Sequence, residues 1–167
     1  MKHNYLIEFE YEDEFNNTFP ETELIAAKNR KQAIIKLIKL YDDDEDLDIK
    51  SITKNPSIGL AVMRMQPMHD GHFQLISRMM REMDVVIIGL GSTQEFGTVN
   101  NPYTPKQRRE MVEKVFGPTG KHSKIKIVEL RDLCTVSKIA WAMHVYGKID
   151  GMNLPKPTHY YAGSKHD

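Results

Sequence analysis

The stretch Asp84-Val85-Val86-Ile87-Ile88-Gly89-Leu90-Gly91 decides the fold. Its apolar residues run on without alternation. That pattern suits a strand buried on both faces, as in a parallel sheet covered by helices on two sides. Working outward, Gly71 to Met83 carries Phe73, Ile76, Met79, Met80 and Met83 at helical spacing. Ile58 to Met63 is another short apolar run before it. On the far side, Pro105 to Phe116 reads as a helix with proline in its first turn. Ile125 to Leu130 follows as a strand, Ser137 to Tyr146 as a helix and Thr158 to Ala162 as a last strand. Strands alternating with helices predict a doubly wound α/β fold with a parallel sheet over residues 57–167.

Residues 1–56 read differently, and Asn55-Pro56-Ser57 marks the boundary. Tyr5 to Tyr11 alternates apolar and polar, as a half-exposed strand does. A second strand is expected at Thr22 to Ala27. Asn29 can cap a helix to about Tyr41, with Ala33, Ile34, Leu37, Ile38 and Tyr41 on one face. Leu47 to Thr53 closes a small α+β accessory module of ββαβ order. The acidic run Asp42 to Asp46 lacks the glycine turn and distal glutamate of a calcium loop and reads as a solvated loop.

Composition narrows the function classes. There are 23 basic and 23 acidic residues, so no overall basic field points to nucleic acid. The single cysteine, Cys134, has no partner for a disulfide or a cysteine-based metal site and reads as a small apolar residue. No apolar run approaches the roughly 20 residues of a membrane span. Met1-Lys2-His3-Asn4 leads into acidic residues rather than a signal core. A cytoplasmic protein with small-molecule substrates, no membrane and no nucleic acid is the expectation.

The chemistry is expected in Arg64-Met65-Gln66-Pro67-Met68-His69-Asp70-Gly71-His72, between a predicted strand and a predicted helix. In doubly wound sheets ligands bind at the carboxyl ends of strands, where helix N-termini offer free N–H groups and a favourable dipole to phosphate. His69 and His72, three residues apart, can share one side of the first helical turn. Directed imidazole donors suit charge growing on a transferring phosphoryl group. Arg64 adds a planar cation matched to phosphate oxygens, and Gly71 lets a ligand approach the backbone. Mg²⁺, held mainly by the phosphates rather than by a protein cage, would screen the charge.

This segment resembles the HxGH motif of the nucleotidyltransferase superfamily, which has a Rossmann-like fold. The run from Arg64 to His72 is similar to the signature of archaeal-type nicotinamide-mononucleotide (NMN) adenylyltransferases, including versions fused to Nudix domains. Ile88-Gly89-Leu90-Gly91-Ser92-Thr93-Gln94 resembles that family's stretch after its second strand. Asn101-Pro102-Tyr103-Thr104-Pro105-Lys106-Gln107-Arg108 resembles its N-P-F-T-x-x-x-R element. The resemblance implies nucleotide contacts from Met63, Gln66, Gly89, Gly91, Ser92, Gln94 and Asn101, and phosphate binding by Arg64 and Arg108. It also implies stacking of Trp141 on nicotinamide, with His144 following, and a nucleotide-site strand ending in Gly163-Ser164.

Several positions depart from the family pattern. Met63 stands where glycine is usual, Met68 replaces an aromatic residue, and Lys138 takes the place of an asparagine. The arginine element expected beyond the last strand is not found before Asp167, which reads as a truncated chain. The implied reaction is transfer of AMP from ATP to NMN, giving NAD and pyrophosphate. Another HxGH nucleotidyltransferase acting on a pantetheine, flavin or phosphoalcohol acceptor is the alternative, as is a nucleotide-binding protein without turnover. The resemblance also implies a homo-oligomer.

Overall fold

The computed structural model describes residues 3–12, 18–41, 47–120, 123–133 and 137–163. The acidic run Asp42 to Asp46, Cys134 and Ser164 lie outside the described residues. The chain divides into two compact units, with the boundary between Pro56 and Ser57.

In the first unit, β1 (His3–Glu12), β2 (Thr18–Ala27), α1 (Arg30–Leu40) and β3 (Asp48–Lys54) follow in order. They form a three-stranded antiparallel sheet of order β2-β1-β3. Tyr5, Ile7 and Phe9 alternate along β1 and join Ala33 and Leu37 of α1 in one buried cluster. Asn29 caps α1, its side chain accepting the Gln32 N–H at 2.9 Å. Strand β2 starts earlier than its alternation suggests and carries Pro20 within it. It is an edge strand, where a missing N–H costs no interior ladder bond.

The second unit is β4 (Ile58–Met63), α2 (Asp70–Glu82), β5 (Val85–Leu90), α3 (Pro105–Phe116), β6 (Ile125–Glu129), α4 (Lys138–Gly151) and β7 (His159–Tyr161). The sheet is parallel, of order β6-β5-β4-β7. The steps β4 to β5 to β6 run one way, so right-handed crossovers put α2 and α3 on the same face. There Ile76, Met79 and Val112 share a core with Ala61, Met63, Val86, Ile88 and Ile127. The return to β7 passes through α4, which that handedness assigns to the opposite face, where Leu60 and Ile87 are buried. Burial on alternate sides explains the unbroken apolar run in β5, every residue of which is buried. The polypeptide reverses direction across the sheet between β4 and β7, the switch point where such folds bind ligands. No described helix is long and apolar enough to cross a membrane.

Candidate active site

At the C-terminal edge of this sheet lies a cavity of about 830 Å³, within the range of small-molecule sites. The end of β4 supplies Met63 and Arg64, followed by Gln66, and the start of α2 supplies His69, Gly71 and His72. Gly91 and Ser92 reach it from the end of β5, Trp141 from α4, and Gly163 from just beyond β7. Three of the four strands and two helices thus converge where the strand order reverses.

The two histidines are organised by the helix they begin. His69 is the N-cap of α2, and its Nδ1 accepts the Gly71 N–H at 3.2 Å. His72 is the third helical residue, and its Nδ1 accepts the His69 N–H at 3.3 Å. This is a capping box in which imidazoles replace the usual serine and glutamate. The ring centroids are 3.8 Å apart. A ring nitrogen that accepts carries no proton, so with both Nδ1 atoms accepting from the backbone, Nε2 is the position left to donate. The cap therefore leaves each histidine one N–H donor. Burial pushes the His72 imidazole below its ordinary value, and neighbouring His69 adds to that. A side chain at position 71 would crowd its neighbour: a Cβ there would lie 3.1 Å from His69 Cε1 and 3.2 Å from its Nδ1.

Several residues expected at the ligand are engaged with other parts of the protein. Gln66 borders the cavity, but its amide is paired with the Tyr103 backbone, accepting the N–H at 2.9 Å and donating to the C=O at 3.1 Å. Gln94 does not line the cavity; its Nε2 donates to Asp132 at 2.9 Å and its Oε1 accepts the Asp132 N–H at 3.0 Å. Asn101 is buried and donates to Glu95 at 2.9 Å. Gly89 also stands behind the wall: a Cβ would meet Leu130 Cδ1 at 2.7 Å and Val62 Cγ2 at 3.1 Å. Its missing side chain makes room for packing within the protein. At Gly91, by contrast, the nearest atom to a built Cβ is Arg64 Cγ at 3.7 Å. Arg108, expected on phosphate, is fully buried and absent from the cavity wall, and its Nη1 donates to the Arg64 and Gly91 carbonyls at 2.7 and 2.8 Å. Burial depresses its proton affinity, with Glu129 acting in the opposite sense.

Sequence reading missed Asp132 and Asn100, which line the cavity, along with Val62 and Leu75. Asp132 carried a signal, a polar residue just after a predicted strand. Val62 had none: it is 41% exposed inside an otherwise buried strand, because the cavity opens beside it. Trp141 borders the cavity with its ring 5.7 Å from that of His144.

Among proteins of known function, the chain is similar to a nicotinamide-nucleotide adenylyltransferase of Thermococcus onnurineus, 36% identical over 78 residues, covering 47% of this chain and 42% of the relative. The corresponding enzyme of Thermococcus sibiricus is 38% identical over 88 residues, covering 52% and 46%. The match spans less than half the length of either relative. A crystal structure of a bifunctional NMN adenylyltransferase/ADP ribose pyrophosphatase from Francisella tularensis aligns with a TM-score of 0.49 at 25% identity, covering 57% of this chain and 28% of that one. The pattern of the cytidylyltransferase-like family matches residues 60–147, from β4 through the cavity-facing part of α4. With that match spanning more than half of its 167 residues, the chain belongs to the cytidylyltransferase-like family.

Proposed function

We propose that this chain transfers AMP from ATP to NMN, releasing pyrophosphate and forming NAD. The observation that carries the reading is the reciprocal histidine cap of α2, which sets two imidazoles, each accepting a backbone N–H at Nδ1, on the wall of a cavity at the sheet's switch point. The names of the relatives, nicotinamide-nucleotide adenylyltransferases, supply the acceptor. In the reaction a phosphate oxygen of NMN attacks the α-phosphorus of ATP. The new P–O bond forms as the bond to the bridging oxygen breaks, and pyrophosphate leaves with that electron pair. The Nε2–H groups of His69 and His72 stabilise charge on the transferring group and the leaving pyrophosphate. Arg64, exposed at the mouth, binds phosphate oxygens. Gly91 and Ser92 bound the nucleotide on the β5 side, and Gly163 does so beyond β7. The Trp141 face receives the nicotinamide ring.

Among the described residues no group of three or more His, Cys, Asp or Glu side chains could hold a metal. Asp132 is the carboxylate on the cavity wall, which fits Mg²⁺ carried in chiefly by the triphosphate. When bound, the ion would screen the charge of the triphosphate. A homo-oligomer acting in the cytoplasm belongs to the same reading. The test is to incubate the full chain with ATP, Mg²⁺ and NMN and to measure NAD and pyrophosphate together. Equal amounts of both support the reading. Use of pantetheine phosphate or choline phosphate with NMN ignored would overturn the acceptor, and nucleotide binding without turnover would overturn the enzyme.

A further inference from the structure

Met65 and Ser92 have φ of 49° and 52°, in the left-handed region that side chains rarely adopt. Each stands two residues past the end of a strand, Met65 after β4 and Ser92 after β5. Both line the cavity. The peptide preceding each is held in the same way: Arg64 C=O and Gly91 C=O both accept from Arg108 Nη1, at 2.7 and 2.8 Å.

The choice of carbonyl matters. Rotating the peptide plane between residues 64 and 65 swings the Arg64 carbonyl and changes φ of Met65 together. The plane between residues 91 and 92 couples the Gly91 carbonyl to φ of Ser92 in the same manner. A flip of either plane would relieve the strained φ, and Arg108 grips the oxygen that would have to move. The guanidinium does this from a fully buried position. Its Nε and Nη2 have no hydrogen-bond partner among the described residues. No carboxylate is in ion-pair contact with it there; the nearby Glu129 pairs with Arg109 instead, at 3.5 Å. A buried cation so poorly compensated is a costly way to fill space. Its own helix is firmly anchored, with Thr104 and Gln107 forming a capping box ahead of it and Pro105 opening the first turn.

We infer that Arg108 is a positioning residue that clasps the two strained turns at the ends of β4 and β5 and so fixes the backbone that carries Arg64 and Ser92 into the cavity. It acts on ligands through those turns and does not touch them. The kinetic part of this inference rests on the proposed adenylyl transfer; the conformational part does not.

The experiment compares the full chain with Arg108→Met, which fills the volume without donors, and Arg108→Lys, which keeps a charge and donors. Cα and Cβ chemical shifts and one-bond Cα–Hα couplings at Met65 and Ser92 report positive φ without any need for turnover. Expected for Arg108→Met is a folded protein that has lost both positive-φ signatures. Its kcat should fall about 10²-fold, the scale of a small misplacement of reacting groups, with partial recovery of signatures and rate in Arg108→Lys. Positive φ retained at both residues in Arg108→Met would overturn the inference, whatever the activity. Failure of both variants to fold would also overturn it, since the residue would then serve the fold. A parent chain with no transfer activity whose Arg108→Met variant still loses both signatures would sink the proposed reaction and leave the clasp standing.

Discussion

Replacing Gly71 with alanine separates the stability of α2 from the placement of the histidine cap proposed to act in transfer. Gly71 lies in the first turn of α2, and its φ is not in the left-handed region, so alanine fits the backbone. Removing glycine's freedom in the unfolded chain contributes about 0.4–1 kcal/mol of stability. Against that, the new Cβ would sit 3.1 Å from His69 Cε1 and 3.2 Å from Nδ1, so the ring must give by a few tenths of an ångström. The Gly71 N–H to Nδ1 bond, already 3.2 Å, is the contact that lengthens. A lost N-cap costs about 1 kcal/mol. The two terms nearly cancel, and at roughly 2–4 °C per kcal/mol for a chain of this size the thermal midpoint should stay within about 3 °C of the parent. Catalysis does not share that balance. A misplacement of about 1 Å costs around 10²-fold, so a shift of a few tenths should lower kcat about tenfold. Thermal unfolding by circular dichroism and steady-state NAD formation on one preparation measure both. A kcat within twofold of the parent would show that the position of the His69 ring does not limit turnover. A fall in midpoint beyond about 8 °C would show that Gly71 serves the helix before the cap.

Other substitutions probe the remaining parts. His69→Asn keeps a good N-cap while removing the imidazole, so the melting temperature should hold while kcat drops about 10²–10³-fold; retained turnover would exclude His69 from the chemistry. Because burial and His69 hold His72 below its ordinary 6.5, the folded state takes up its proton less readily than the unfolded state does. Its stabilisation is then complete above 6.5 and is lost as pH falls through the lowered value, together with activity. A His72→Gln protein should lack that part of the acid decline in melting temperature, and an unchanged decline would contradict the assignment. Gly89→Ala forces a Cβ to within 2.7 Å of Leu130 Cδ1, and overpacking of this kind should cost about 1–3 kcal/mol in denaturant unfolding. Trp141→Ala should raise KM for NMN about 2- to 10-fold with little change in KM for ATP, the worth of one aromatic stack.

Much of the second unit is legible in the residues because one physical signal dominates it. The runs Ile58–Met63 and Val85–Leu90 are apolar on both faces, and Pro105 marks the start of α3, so those elements fall where periodicity places them. Boundaries blur where tertiary contacts decide, as in α4, which continues past Tyr146 to Gly151 because Ile149 is buried. The arrival of Arg64, His69, His72 and Trp141 in one cavity follows from the rule that strand ends and helix starts meet at the switch point. What sequence could not convey is where the hydrogen bonds of each polar residue run. Gln66, Gln94 and Arg108 have the right chemistry for a nucleotide, yet their hydrogen bonds run to Tyr103, Asp132 and the strand-end carbonyls. Those partners are distant in sequence, so no local pattern announces them. The reciprocal cap was hidden for a related reason: two histidines three apart suggest a shared face, but not that each ring accepts from the backbone beneath it.

Transfer of an AMP group between phosphates leaves a signature that binding or hydrolysis cannot imitate. The most direct measurement supplies ATP labelled at the α-phosphorus with unlabelled NMN and Mg²⁺, using the parent and His72→Ala side by side. Expected are label in NAD for the parent, unlabelled pyrophosphate in equal amount, and a loss of label transfer of about 10²-fold or more in the variant. Label released only as AMP, or label transfer at the same rate in both proteins, would contradict the proposed transfer.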